Sequence, residues 1–147
     1  MRKTLLIAAI LPVLAGCVSD GAAVHIDGKE HSLSIVREQK WAWDDKLDIY
    51  LVATRMPECQ RRHKLKPAPV RASGVDVFMV DLNTYHLRQG SRWYRIETKT
   101  CEGFESLKGE PDKDVGDHVG TFKMSEGSYR FVEKPAKKDD KETAKGS

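Results

Sequence analysis

The sequence predicts an all-β protein, a small antiparallel sandwich or barrel of about seven strands with one disulfide and a disordered, charged C-terminal tail. Three observations carry this prediction. Short stretches alternate apolar and polar residues with a period of two, most cleanly at Leu47, Ile49, Leu51 and Ala53. Turn cues separate such stretches, at Asp27-Gly28, Gln89-Gly90-Ser91 and Glu126-Gly127. No segment sustains a helical period, and there is no internal repeat.

The chain opens with positive Met1-Arg2-Lys3, followed by an apolar run from Leu5 to Leu14. A bilayer span needs roughly 20 apolar residues, so this shorter run reads as a secretory signal. It ends in Leu14-Ala15-Gly16-Cys17. This motif resembles the lipobox of bacterial lipoproteins, and the resemblance covers only the signal region. It implies a diacylglyceryl group on the Cys17 thiol, cleavage before Cys17 and acylation of the new amine. Stable anchoring takes at least two acyl chains, each buried methylene contributing about 0.8 kcal/mol. Residue 18 is Val, where Asp would imply retention at the inner membrane. The resemblance therefore implies the outer membrane, with the domain facing the periplasm.

The expected organisation is a signal peptide over 1–16, a lipidated end and short tether over 17–23, one β domain over 24–133 and a disordered tail over 134–147. The tail has no large apolar residue. Val24 and Ile26 alternate before Asp27-Gly28, and Leu33 and Ile35 after it, which predicts a hairpin. Arg37 to Lys46, with its Trp41-Ala42-Trp43, is ambiguous between strand extension and a helical turn. Lys46 to Thr54 is a strand that Met56-Pro57 terminates. Glu58 to Ser73 reads as a long loop. Val75 to Leu82 is a strand, Tyr85 to Cys101 a hairpin, Glu102 to His118 an acidic loop, and Gly120 to Glu133 a last hairpin.

With Cys17 assigned to lipid, Cys59 and Cys101 remain. An even pair in an oxidising compartment reads as one disulfide. A loop of this length gives about 4 kcal/mol in the chain-entropy picture. Free thiols, or a metal pair in which His63 follows Cys59 by four residues, are the weaker alternatives.

The whole chain carries +3, and loss of Arg2 and Lys3 brings it close to neutral. That argues against nucleic acid as a partner. There is no nucleophile elbow, no His-Glu-x-x-His, no Cys-x-x-Cys and no phosphate loop, and no cofactor is implied. His25, His31, His63, His86 and His118 are scattered. Asp112, Asp114 and Asp117 pose a calcium question, but Gly116 stands where an EF-hand loop wants its third acid. A solvated acidic loop is the expected reading, and no metal is assigned. Trp41 and Trp43 could stack on sugar rings; their size favours the core.

Charge is the most informative remaining pattern. Arg55, Arg61, Arg62, Lys64, Lys66 and Arg71 crowd a stretch with one acid, Glu58. Glu102, Glu105, Glu110, Asp112, Asp114 and Asp117 face only Lys108 and Lys113. The disulfide would bring the two stretches together, and mutual neutralisation is the favoured reading. The alternative is that Arg61, Arg62, Lys64 and Lys66 capture an anionic partner, such as a lipid A phosphate or an acidic protein. The expected role is therefore non-catalytic: a lipid-anchored binding, accessory or structural module meeting an envelope protein, lipopolysaccharide or peptidoglycan. A membrane-bound lysozyme inhibitor is an architectural analogy only, and a hydrolase assembled across strands is a third possibility.

Overall fold

Strand follows strand, from Ser19 to Glu133, in the computed structural model, which describes residues 17–135. Residues 1–16, where a signal peptide is expected, and residues 136–147 of the expected tail lie outside the described residues. The strands are β1 (Ser19–Asp27), β2 (His31–Glu38), β3 (Lys46–Arg55), β4 (Cys59–Lys64), β5 (Ala68–Pro69), β6 (Val75–Met79), β7 (Thr84–Gln89), β8 (Arg92–Glu97), β9 (Glu105–Leu107), β10 (Asp117–Ser125) and β11 (Ser128–Glu133). A 3-10 turn at Val70–Ala72 links β5 to β6.

Two antiparallel sheets result. The first runs β1-β2-β3-β4, with β5 also on β3; the second runs β11-β10-β6-β7-β8-β9. The period-two alternation explains the partition between them. Leu33 and Ile35 of β2 and Leu47, Ile49, Leu51 and Ala53 of β3 are fully buried. They meet Val75, Val77, Leu87, Tyr94, Ile96, Phe122 and Tyr129 of the second sheet in one cluster. Each large aliphatic or aromatic side chain so buried contributes about 1.5–3 kcal/mol relative to exposure. The architecture is thus a sandwich.

The hairpin turns fall where the turn residues stand. Gly28, Gly90 and Gly127 all have positive φ, at 68°, 61° and 80°, the backbone state that glycine adopts without penalty. Three expectations are corrected. Residues from Ser19 onward are not a tether, because Ser19 pairs with Glu38 and Asp20 with Arg37 as β1 adds to β2. The stretch after Glu58 is not one loop but holds β4, paired with β3 from Arg55↔Cys59 to Tyr50↔Lys64, and the short β5. The acidic stretch is interrupted by β9, which pairs with β8. Among the described residues no helix is long and apolar enough to cross a membrane.

Candidate functional site

The disulfide joins Cys59, the first residue of β4, to Cys101, just after β8, with Cα atoms 6.0 Å apart. It fastens an edge strand of the first sheet to the second. His63 is not a metal partner of Cys59. Its Nε2 lies 3.0 Å from the Cys101 carbonyl oxygen, to which it can only donate. Its ring stacks on Phe104 at 4.6 Å.

The basic residues split across β4 because successive side chains of a strand point to opposite faces. Arg61, with Cys59 and His63, is on the side of the disulfide, and its Nη2 lies 3.5 Å from Glu102. Arg62 and Lys64 share the other face. Arg62 reaches Glu38 of β2 at 2.8 Å, and its guanidinium lies 3.6 Å over the Tyr50 ring. Lys64 reaches Asp48 of β3 at 3.0 Å. That hydrogen bond holds the Lys64 amine above its usual pKa. Lys66 stands apart and exposed, past the end of β4; its backbone is pinned between the Tyr94 hydroxyl and the Gln89 amide. The four cations therefore do not form one anion cradle. Only Arg61 meets the acidic stretch, and Arg62 and Lys64 are answered by acids from the neighbouring strands.

Of the remaining histidines, His31, His86 and His118 have separate partners. His31 Nε2 lies 2.8 Å from Thr98 Oγ1, and His86 Nδ1 lies 3.1 Å from the Val115 carbonyl. His118 Nε2 lies 3.3 Å from Thr121 Oγ1 and 3.7 Å from Asp76. Asp114 accepts from the Gly116 amide. Among the described residues no three His, Cys, Asp or Glu side chains converge as a metal-binding group. A cleft of about 600 Å³ opens between β1 and β10–β11, walled by apolar Val24, Ile26, Val77, Val119 and Phe131 and by polar His25, Asp117, His118 and Glu133.

The largest correction concerns the tryptophans. Trp41 and Trp43 are 52% and 79% exposed, not buried. Their rings stack at 5.4 Å, only 7° from parallel. They stand on the β2–β3 loop, which Gln39 organises. Its side-chain amide donates to the Asp44 carbonyl at 2.7 Å, and its Oε1 accepts from the Val18 amide at 3.0 Å. The Gln39 backbone amide in turn donates to the Val18 carbonyl at 2.7 Å. A signal for this exposure was present in the sequence. Polar Glu38, Gln39 and Lys40 precede the pair and Asp44 and Asp45 follow it, so no alternating apolar stretch carries it into the core.

No family model, curated protein or solved structure matches this chain.

Proposed function

We propose that the chain is a lipid-anchored protein of the bacterial outer membrane, acting in the envelope by binding and not by catalysis. The observation that carries this reading is the spacing between motif and fold. Leu14-Ala15-Gly16-Cys17 stands directly before β1, which begins at Ser19, and Cys17 itself is free and exposed. An acylated Cys17 would hold the sandwich against the lipid surface, because a single residue separates it from the first strand. Binding is further supported by one exposed feature, the stacked Trp41–Trp43 pair.

Metabolic labelling with palmitate tests the anchor. The wild type should incorporate label and sediment with outer membranes. Cys17→Ala should take up none and accumulate unprocessed. A wild type that is released unlabelled into the periplasm would sink the proposal.

A further inference from the structure

We infer that Trp41 and Trp43 form a second membrane contact, docking into the headgroup region of the leaflet that holds the Cys17 acyl chains. This deepens the reading of the chain as a lipoprotein and rests on it.

The argument begins with place. Two hydrogen bonds in opposite directions tie Val18 to Gln39, at 3.0 and 2.7 Å. Val18 is the residue next to the acylated sulfur, and Trp41 is two residues beyond Gln39, a span of at most about 7 Å of extended chain. Gln39 also grips the loop itself, through the Ala42 and Asp44 carbonyls. The loop and the anchor point therefore move as one unit. Acyl chains on Cys17 set the depth of residue 17 at the top of the hydrocarbon, and the loop is held at that level.

The chemistry fits that level. Indole presents a broad apolar face and one N–H donor, which is why Trp concentrates at membrane–water boundaries. Here two indoles are stacked, and among the described residues about half of Trp41 and most of Trp43 are left uncovered. Charge around them balances: Lys40 and Lys46 flank the loop with Asp44 and Asp45. The contact thus draws on aromatic burial and not on attraction to anionic lipid. Acyl chains alone would let the domain swivel about residue 17. A second contact on the same loop fixes its orientation, with β1 and the β2–β3 turn toward the membrane.

The test uses acylated full-length protein reconstituted into phosphatidylethanolamine–phosphatidylglycerol vesicles. Tryptophan emission is read with lipids brominated high on the acyl chain, and with acrylamide in the water. Trp93, the remaining tryptophan, is only 4% exposed. The W41F/W43F variant therefore supplies the background, and both substitutions fall on exposed positions. Wild-type emission should drop at least twofold with brominated lipid and be shielded from acrylamide, and the W41F/W43F signal should change in neither way. Protein that carries label from palmitate and floats with the vesicles, yet keeps acrylamide-accessible, bromine-insensitive tryptophans, overturns the docking while leaving the anchor intact. Protein that neither labels nor floats fails at the anchor, and the docking falls with it. Shielding by soluble peptidoglycan fragments in place of vesicles would assign the pair to a glycan and overturn the inference.

Discussion

The Arg37 guanidinium lies 3.9 Å above the ring of Tyr129, so a cation of β2 in the first sheet is seated on an aromatic of β11 in the second. Arg37 is 1% exposed. Its charge is met by Asp20 of β1 through two hydrogen bonds at 2.7 and 2.6 Å, and by Ser73 at 2.6 Å. The Tyr129 hydroxyl donates to the Ser73 carbonyl at 3.0 Å, and burial pushes its pKa well up. The sheets are therefore sewn together at this margin by a polar seam.

Asp20→Ala should consequently destabilise the domain more than a surface change would. Removing one partner of a buried pair leaves the other charge uncompensated. Asp20 keeps partial contact with water, so the loss should fall at about 2–3 kcal/mol, near the lower end for such pairs. Denaturant unfolding measures it. Arg37→Met with Asp20→Ala should cost less than the two single changes added together. Strict additivity would show that the seam is not a coupled unit.

The disulfide yields a second expectation. Cys101 is fully buried, and the bond ties β4, an outer strand with no partner beyond it, to the far sheet. Cys101→Ser should lower stability by roughly 2–5 kcal/mol, the usual loss when a small domain is deprived of a native disulfide. Alkylation of the oxidised protein should leave Cys59 and Cys101 unlabelled. Stoichiometric labelling of Cys59 and Cys101 would contradict the bond.

His31 predicts a pH dependence. Burial lowers its pKa, and the Arg55 charge, with its Nη2 3.3 Å from Nδ1, lowers it further; Asp27 opposes them. The neutral ring donates from Nε2 to Thr98 and accepts at Nδ1 from Arg55. The folded protein thus binds a proton less readily than the unfolded chain, whose histidine titrates near 6.5. Stability from this site is fully present above that value and is lost as pH falls through the folded pKa. His31→Gln should flatten the fall in melting temperature between neutral pH and about pH 5. An unchanged slope in the variant would remove His31 from the account.

Legibility followed the physics of each position. Leu47, Ile49, Leu51 and Ala53 were readable because a buried face writes a period of two into the sequence. Cys59 to Lys64 was not, because β4 is an edge strand whose outward positions are charged, a common protection against edge-to-edge pairing. The first half of β1 was missed for a steric reason. At Gly21 a Cβ would stand 2.7 Å from the Ile35 carbonyl oxygen, so the close approach of β1 to β2 demands the small residue that looked like a linker. Arg37 was hidden in plain parity: it follows Leu33 and Ile35 at the same spacing, and its partner Asp20 lies across the ladder. The pairing of Gln39 with Val18, which sets the Trp loop beside Cys17, left no sequence pattern at all.

The basic strand supplies the last expectation. Arg62 and Lys64 are matched by Glu38 and Asp48 within the first sheet, and Arg61 by Glu102 near the disulfide. If neutralisation is their role, R61E/R62E/K64E sets like charges against each of those acids and should lower the melting temperature. The Arg62 part should be about 1 kcal/mol, since its carboxylate contact and its seat on Tyr50 are both lost. The deficit should shrink at high salt, where exposed charges are screened over a few ångström. Lys66→Glu is the control: among the described residues Lys66 has no ion-pair partner, so its reversal should leave stability unchanged. If the strand instead captures an anion, the triple variant should melt almost as the wild type does and lose retention on immobilised lipopolysaccharide. The pairing geometry favours the first outcome. A stable variant stripped of that retention would reassign Arg61, Arg62 and Lys64 to a binding surface.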